Sequence, residues 1–404
     1  MREPKVSIVI PVYNGADFMR EAINSALNQS YKNCEVIVVN DGSKDNTEEV
    51  ALSYGSKIRY FSKENGGVST ALNLGIENME GQYFSYLPHD DILHPDKIRM
   101  QMEAILHSGD EMSIVWSGWN FYFQESGKRQ PFSFPLWLLK ENVTKGVYPL
   151  FFGLLNTVSV LLHREYFKKV GRFDPVLRTS QDYDMWFRAF KSHQTIYIEK
   201  ELVDYRIHEK QGTQDDPEYT KNCIELAMKM MEQISQDDIL YSFGSQYAFY
   251  CQLTEYYREM AWEECFRYAG ERWMEIPEPK DAGLQREELK RYLYQLGNSH
   301  DIILYGAGRN GKRLFKDLEN RGIHILAWCD SDIRKQGKNI DGRPCLAPEQ
   351  IRDIRCLTVV TTDEPEQLTR VLTEQGHQHV AGYKEIADVL YHTLPIKESI
   401  LGEG

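Results

Sequence analysis

Short apolar runs alternate with amphipathic segments through the first hundred residues of the chain. The apolar runs predict strands at residues 6–11, 34–40, 58–61 and 83–87, and the amphipathic segments predict helices at 17–29, from about 45, and at 68–79. In this alternating order the strands form a parallel sheet with helices on both faces. Ligands of such sheets bind beyond the carboxyl ends of the strands. We therefore expect an α/β domain with its site at that edge.

The pattern changes to long helical stretches after residue 217. Ile224, Met228 and Met231 recur at helical spacing, and the stretch is rich in Tyr, Met, Glu and Gln. These features predict a helical connector over residues 215–297. Two interpretations stay open, namely ordinary packing between domains, or a surface that contacts an acceptor, a membrane or a second copy of the chain.

A second α/β pattern begins at Asp301. A strand at 302–305 is followed by Gly306, Gly308 and Gly311 and by a helix, and the next strand ends in Asp330. Glycines in this context let backbone amides approach a pyrophosphate, and an acid about twenty residues later contacts a ribose hydroxyl. Residues 298–404 are therefore predicted to form a Rossmann-like domain. It either binds NAD(P) or a nucleotide-sugar, or serves as a scaffold.

Composition, net charge and cysteine count narrow the class of protein. The 404 residues are 42% hydrophobic and 26% charged, with a formal net charge of −13. An acidic chain is a poor ligand for a phosphate backbone, so we expect no nucleic-acid partner. Seven scattered cysteines without a Cys-x-x-Cys pair indicate reduced thiols. The chain opens without the apolar stretch of a signal peptide, and no run reaches the ~20 apolar residues of a membrane helix, so we expect a cytoplasmic protein.

Carboxylates follow two of the predicted strands in the N-terminal domain. Asp41 ends the strand at 34–40, and Asp90 and Asp91 follow the strand at 83–87. Oxygen donors are the ligands that Mg²⁺ and Mn²⁺ prefer, and such an ion lets an acidic site bind a nucleotide diphosphate. The sequence therefore predicts a divalent metal at Asp90 and Asp91, with His89 or a later histidine completing the ligand set.

A further acid, Asp182, is a candidate catalytic residue. Ser180 can cap a helix that begins here, which places Asp182 in the first turn and on the same face as Trp186. Such a carboxylate either receives the proton of a sugar hydroxyl or only stabilises the helix through its dipole. Asp184 points elsewhere and is expected to be structural.

Several stretches, in the same order, resemble motifs of the family 2 glycosyltransferases with the GT-A fold. They are Val6–Asn14, Asn40–Ser43, Asn65–Gly67 with Asn73, Leu87–Asp91, Val170–Asp174, Ser180–Trp186 and Tyr205–His208. The resemblance covers roughly residues 5–210 and implies a GT-A domain over residues 1–214. Many members carry an acid where this chain has Pro88, so the metal ligand stays open between Asp90 and Asp91.

The resemblance also implies roles for individual residues. It makes Asp182 the general base, and it implies that Trp186 contacts the acceptor. Metal ligands would be Asp90, Asp91 and His208. The nucleotide-sugar would lie against Pro11, Tyr13, Asn14, Asp41, Gly67, Asn73 and Asp90.

The activity implied is a metal-dependent, inverting transfer from a nucleotide-sugar, with UDP-sugars expected, to a hydroxyl of a glycan or lipid-linked acceptor. The family's usual role is the assembly of surface polysaccharide or glycoconjugate on the cytosolic side of a membrane. Peripheral membrane contact and a homo-oligomer formed through the connector are further expectations. The rival readings are an oxidoreductase or nucleotide sensor run by residues 298–404, and a scaffold without activity.

Overall fold

The structure is a computed structural model that describes residues 3–135, 138, 140–191, 193–209, 211, 217–362 and 364–401. Contacts group the chain into two compact units. The first contains Met1–Phe134, Glu141–Phe249 and Tyr256–Tyr268, and the second contains Pro135–Lys140, Tyr250–Glu255 and Ala269–Gly404. The segment predicted as a connector is thus divided between the two units. The predicted boundaries after residues 214 and 297 stay predictions.

A mixed sheet forms the centre of the first unit. Its strands are β1 Val6–Val12, β2 Cys34–Asn40, β3 Arg59–Ser62, β4 Tyr83–Tyr86, β5 Ile92–Leu93, β6 Ile114–Phe123, β7 Lys128–Pro131, β8 Leu161–His163 and β9 Thr195–Ile207. They lie in the order β3-β2-β1-β4-β8-β6-β9-β5, with β7 paired to β6. The pairs among β3, β2, β1 and β4 are parallel. All seven residues of β1 are buried, as expected of a parallel strand covered on both faces.

Helices cover this sheet. They are α1 Met19–Leu27, α2 Thr47–Leu52, α3 Val68–Asn78, α4 Lys97–Ser108, α5 Tyr148–Phe151, α6 Tyr166–Lys169 and α7 Gln181–Phe190, with 3₁₀ turns at Gly55–Lys57, Lys140–Asn142 and Thr157–Ser159. The buried residues of α1 are Met19, Ala22, Ile23 and Ala26, which follow helical spacing. This apolar face joins the core with β1 and β2. The predicted α/β order of the first hundred residues is confirmed.

The predicted helical stretch is also present. It consists of α8 Tyr219–Gln233, α9 Gln236–Phe243, α10 Gln246–Glu259, α11 Glu263–Glu275 and α12 Ala282–Gly297. Two of these helices begin at a serine whose hydroxyl caps a backbone amide, Ser235 before α9 and Ser245 before α10. In the part of the chain that the structure describes, no helix combines the length and apolar composition needed to cross a membrane.

The second unit contains a six-stranded sheet. Its strands are β10 Ile302–Tyr305, β11 Ile325–Cys329, β12 Asn339–Ile340, β13 Arg343–Leu346, β14 Leu357–Val360 and β15 Val380–Gly382. The helices are α13 Arg309–Glu319, α14 Pro348–Ile351, α15 Pro365–Glu374, α16 Tyr383–His392 and α17 Lys397–Leu401. The order β12-β13-β11-β10-β14-β15 is parallel except for the edge strand β12. The five parallel strands, from β13 to β15, have the 3-2-1-4-5 order of doubly wound sheets.

Candidate active site

The sheet order brings the polar strand ends of the first unit to one edge. β1, β2 and β4 are parallel neighbours, so Tyr13, Asp41 and Asp90 follow adjacent strand ends. The long strand β9 ends beside them and delivers His208, which contacts Asp90. The candidate site therefore lies where the β-α-β order predicts a ligand site.

Asp41 organises the loop that precedes α3. Its carboxylate is almost fully buried and accepts hydrogen bonds from Lys63 Nζ at 2.6 Å and from the amides of Gly66 and Gly67 at 3.0 and 2.7 Å. Gly67 has φ +89°, a left-handed conformation that glycine adopts without strain. Asp41 and Gly67 thus shape the loop together. Their contact with a nucleoside stays a prediction.

The end of β1 is joined to the loop after β2. The Asn14 amide donates to Ser43 Oγ at 2.9 Å, and Asn14 Oδ1 accepts the amide of Lys44 at 2.8 Å. Pro11 is buried within β1, whereas the Tyr13 side chain is 45% exposed. An exposed ring at a strand end can stack on a nucleotide base, which keeps the predicted role of Tyr13 open.

Asn73, on α3, holds a backbone segment. Its Nδ2 donates to the carbonyl of Phe173 at 2.8 Å, and its Oδ1 accepts the amide of Phe173 at 3.1 Å. Both ends of the amide are therefore used in fixing Phe173 against α3. The predicted contact of Asn73 with the donor gains no support from this placement and stays a prediction.

Asp90 and His208 form the polar centre of the site. His208 Nε2 lies 3.1 Å from Asp90 Oδ2, and Phe18 packs on the His208 ring with centroids 4.4 Å apart. Burial alone would raise the pKa of Asp90, but the hydrogen bond from His208 and the charges of His89 and His208 lower it below its usual value. The Asp90 carboxylate is thus kept ionised, as a cation ligand must be.

Asp91 is placed differently from its neighbour. Its Oδ1 accepts the backbone amide of Arg206 at 2.9 Å, while its Oδ2 is buried and has no hydrogen-bond partner among the described residues. Burial, together with the charge of Asp90, raises the pKa of Asp91 well above its usual value. Asp90 contacts His208, whereas one oxygen of Asp91 is taken by the Arg206 amide, and the choice between the two as metal ligand stays a prediction.

The residues present fit a metal that is shared with a substrate. The described residues contain no group of three or more His, Cys, Asp or Glu side chains that could hold an ion by themselves. Mg²⁺ is commonly bound by one or two protein carboxylates, with waters and substrate phosphates completing its shell. Asp90 and His208 supply such a partial set, and His208 Nδ1 is buried and unpaired within the described part of the chain. His89 is a weaker candidate because its ring packs against Gly15.

Arg206 is a residue that the sequence reasoning overlooked. Its guanidinium is completely buried between the rings of Phe18 and Tyr122, at 5.0 and 4.9 Å from their centroids. Arg206 Nε donates to the carbonyl of Asp90 at 2.6 Å, and its other nitrogens contact Gln124 and Glu21. Arg206 therefore holds the backbone of the acid pair in place. The available signal was its position two residues before His208 in the closing motif.

Asp182 lies in the first turn of α7. Its Oδ1 accepts the amide of Tyr183 at 2.9 Å. Burial raises the pKa of Asp182 above its usual value, although this amide and a hydrogen bond from Thr157 oppose the shift. Ser180 stands at the N-cap position but makes no side-chain capping bond, so the predicted cap is wrong.

Trp186 belongs to the core. The indole is completely buried against Phe173, and its Nε1 donates to Thr157 Oγ1 at 2.9 Å. Because the Thr157 hydroxyl also bonds Asp182, Trp186 supports the carboxylate through Thr157. This burial gives no support to the predicted contact between Trp186 and an acceptor, which stays a prediction. Asp184 is structural, as expected, since it pairs with Arg188 and Lys229.

One buried phenol connects the two acidic groups. Burial raises the pKa of Tyr86 well above its usual value, and the charges of Asp182, Asp90 and Asp91 raise it further. Tyr86 is the last residue of β4, directly before the acid pair. The carboxylates of Asp90, Asp91 and Asp182 thus all lie within electrostatic reach of Tyr86.

Close packing and the hydrogen bonds of Asp330 hold the glycine turn of the second unit in place. Gly306 has φ +109°, and a Cβ on Gly311 would lie 1.9 Å from the Gly306 carbonyl, so close packing requires glycine there. Asp330 Oδ2 accepts the amide of Ala307 at 2.9 Å and pairs with Lys335 at 2.8 Å. Gly308 has open space around it. Binding of NAD(P) or another nucleotide by Gly306, Gly308, Gly311 and Asp330 stays a prediction.

Comparisons with known proteins agree with this architecture. Residues 7–171 match the family model described as glycosyl transferase family 2. An uncharacterized glycosyltransferase of Rickettsia conorii is 44% identical over 247 residues, which are 60% of this chain and 41% of that protein. One of Rickettsia typhi is 38% identical over 266 residues, which are 66% of this chain and 84% of that protein.

The extent of these similarities differs between proteins. The chain spans only 39% to 41% of the length of the R. conorii, R. bellii and R. felis relatives. Among solved structures, S. aureus TarS 1–349 in complex with UDP-GlcNAc aligns with a TM-score of 0.49 at 13% identity, over 84% of this chain and 95% of that one.

Proposed function

The chain belongs to glycosyl transferase family 2, and we propose that it transfers a sugar from a nucleotide-sugar donor to a hydroxyl group of an acceptor. The catalytic domain is the GT-A fold of the first unit. The observation that carries the proposal is the placement of Asp41 and of the Asp90–His208 pair at neighbouring carboxyl ends of one sheet. Asp182 adds a partly buried carboxylate whose pKa is raised by burial.

The proposed reaction is a direct displacement with inversion at the anomeric carbon. The acceptor oxygen forms a bond to that carbon while the bond from the carbon to the diphosphate oxygen breaks. Asp182 takes the proton of the acceptor hydroxyl, and the nucleoside diphosphate leaves with the electron pair. A base positioned within hydrogen-bond reach contributes about 10²–10⁴-fold to the rate. The raised pKa of Asp182 makes it a stronger base than an ordinary aspartate.

We propose that Asp90 and His208 hold a Mg²⁺ or Mn²⁺ ion together with the donor diphosphate. When bound, such an ion stabilises the negative charge that develops on the leaving diphosphate. Arg206 keeps the Asp90 backbone in position, and Phe18 keeps the His208 ring in position. This arrangement supports an ion that binds weakly without the nucleotide and tightly with it.

The identities of the donor and the acceptor are also proposals. We propose a UDP-sugar donor on the basis of the family resemblance. Its base would stack on the exposed ring of Tyr13, which follows β1 as Asp41 follows the neighbouring strand β2. The family supports a glycan or lipid-linked acceptor in the assembly of a surface polysaccharide or glycoconjugate.

The test is a panel of UDP-, GDP- and dTDP-sugars, each assayed with Mn²⁺ for thermal stabilisation and for release of the nucleoside diphosphate. A ligand that binds only the folded protein at 100 times its Kd stabilises it by about 2.7 kcal/mol. We expect one donor class to stabilise the protein only when the metal is present. Stabilisation that persists in EDTA would contradict the metal proposal, and the absence of turnover with any donor would favour a scaffold.

Asp182→Asn tests the base, and the chain offers a matched control. Asp182 and Asp237 each follow a Ser-Gln pair and occupy the second position of a helix, α7 and α9. We expect Asp182→Asn to abolish transfer and leave donor affinity nearly unchanged, and Asp237→Asn to change neither. Equal loss of donor affinity and transfer in Asp182→Asn would contradict its role as base.

A further inference from the structure

We infer that helix α8 positions Asp182 by holding Ser180 in a left-handed backbone conformation, an assignment that rests on the proposed role of Asp182 as base. Ser180 has φ +60° and ψ +13°, a region that residues other than glycine rarely adopt. Such a conformation is unfavourable for a residue other than glycine and persists only where surrounding structure enforces it. It occurs two residues before the proposed base.

An identical tripeptide elsewhere in the chain shows that Ser-Gln-Asp by itself does not enforce this conformation. Ser-Gln-Asp begins α7 at Ser180 and also begins α9 at Ser235. Ser235 is extended, with φ −76° and ψ 158°, and its hydroxyl accepts the amide of Asp238 at 3.1 Å. That is the ordinary N-cap. Asp238, which stands where α7 has Tyr183, also accepts the Ser235 hydroxyl at 2.6 Å. The cap at α9 thus has local support that α7 lacks, and the conformation of Ser180 is left to its tertiary contacts.

Two consecutive residues of α8 supply those contacts. Asn222 Nδ2 donates to Thr179 Oγ1 at 2.8 Å, and Cys223 Sγ lies 3.4 Å from Ser180 Oγ. Further along α8, Lys229 pairs with Asp184 on α7 at 2.9 Å. The Ser180 hydroxyl is thus turned toward α8, away from the helix that it would otherwise cap.

One backbone amide links the conformation of Ser180 to the carboxylate of Asp182. At the start of α9, the amide three residues after the serine is taken by the serine hydroxyl. At the start of α7, the equivalent amide belongs to Tyr183 and donates to Asp182 Oδ1 at 2.9 Å. Because Ser180 does not cap, this amide is available to orient Asp182. If Ser180 relaxed to the extended cap, its hydroxyl would compete with Asp182 for the same N–H.

The experiment begins with Asn222→Ala and Thr179→Val, which remove the two halves of one hydrogen bond. We expect each to lower the turnover number two- to tenfold, the range for one neutral hydrogen bond, with the KM for the donor unchanged. The two changes combined should lower it no further. Lys221→Ala, at the exposed neighbouring position on α8, is the control and should match the wild type.

Substitutions of Ser180 are the decisive part of the experiment. Glycine adopts the left-handed conformation without strain and cannot cap, so Ser180→Gly should restore turnover in the Asn222→Ala protein. Ser180→Ala, which also cannot cap but still disfavours the left-handed region, should not restore it. Rescue by both, or by neither, would overturn the inference, because backbone conformation would then not be what α8 controls.

A measurement without substrate separates this inference from the proposed function. Amide hydrogen exchange of the peptide that contains residues 179–184 should accelerate in Asn222→Ala and slow again in the double variant with Ser180→Gly. If exchange follows this pattern while Asp182→Asn retains full transfer, α8 controls the turn but the proposed base is wrong. If Asp182 is essential while Asn222→Ala changes neither exchange nor turnover, the inference about α8 is wrong.

Discussion

Removing the guanidinium of Arg206 should damage both the stability of the first unit and its affinity for metal and nucleotide. Arg206 is completely buried, and its side chain contacts the carbonyl of Asp90, the amide oxygen of Gln124 and the carboxylate of Glu21. Arg206→Met keeps a similar length and packs between the same rings. It leaves the Asp90 carbonyl and Gln124 without their partner.

The magnitude follows from the burial of each contact. Hydrogen bonds from a charged donor contribute about 1.5–3 kcal/mol each. The bond to the Asp90 carbonyl is partly buried, while Gln124 is an exposed residue, so its bond is taken at the lower end of that range. Glu21 is 56% exposed, so its ion pair contributes at most about 1 kcal/mol. Together the three contacts amount to about 3–5 kcal/mol. For a unit of this size the thermal midpoint should fall by roughly 6–20 °C.

The assay is a thermal scan with and without Mn²⁺ and UDP. Ligand shifts only the transition of the unit that binds it, so the shifted transition reports the site. We expect Arg206→Met to lower that midpoint and to weaken UDP binding at least tenfold, because Asp90 loses its backbone anchor. Arg206→Lys should be intermediate, since an ammonium cannot reach all three acceptors.

The control is Arg172→Lys. Arg172 pairs with Glu77 on the surface, where both side chains are about half exposed. Loss of this ion pair should change the free energy of unfolding by less than about 1 kcal/mol. If Arg206→Met unfolds at the wild-type temperature, the stability estimate is wrong. If it is less stable but binds UDP and Mn²⁺ normally, Arg206 is a core residue with no positioning role.

Three further outcomes follow from the titratable groups. Asp182→Asn should raise the thermal midpoint at pH 7 while it removes activity, because a carboxyl whose pKa is raised by burial destabilises the folded state when it is ionised. A lowered midpoint would contradict this. Transfer by the wild type should fall as the pH drops through that raised pKa. Hydrogen bonds from His94 and Arg129 lower the pKa of Asp204 to about 2 despite its burial. Its contribution to the stability of the folded state is therefore complete above about pH 4 and is lost toward pH 2. Asp204→Asn should remove that acid dependence in a urea titration. Burial lowers the pKa of Lys97 to about 7, so stability should rise between pH 7 and 10.5, and this rise should vanish in Lys97→Met.

Elements with strong periodicity were predictable from the chain alone. β2 at Cys34–Asn40, β10 at Ile302–Tyr305 and α15 at Pro365–Glu374 occur at their predicted residues. The long strands β6 and β9 were not predicted, because they pair with each other across about eighty residues of sequence and because β9 carries charged residues within it. Their strand character depends on partners that lie far away in sequence, which local patterns do not report.

The candidate site shows the same division. Asp41, Asp90 and Asp91 could be placed at strand ends from sequence, because an apolar run followed by an acid marks the carboxyl edge of a parallel sheet. The different roles of the adjacent acids could not be read from the chain. The amide of Arg206, which arrives more than a hundred residues later, binds Asp91 and leaves Asp90 to pair with His208.

The sequence by itself determined which chemical groups are present and which strands carry them, since strand ends and acids are local features. Tertiary structure decided how each group is used. Ser-Gln-Asp occurs twice, yet it forms an ordinary cap at Ser235 and a left-handed turn at Ser180. The tripeptide is the same, so the difference lies outside it. Asp238 supports the cap at Ser235, whereas the equivalent residue at α7 is Tyr183, and α8 contacts Thr179 and Ser180. Local sequence leaves several backbone states within a few kcal/mol of one another, and long-range contacts select among them.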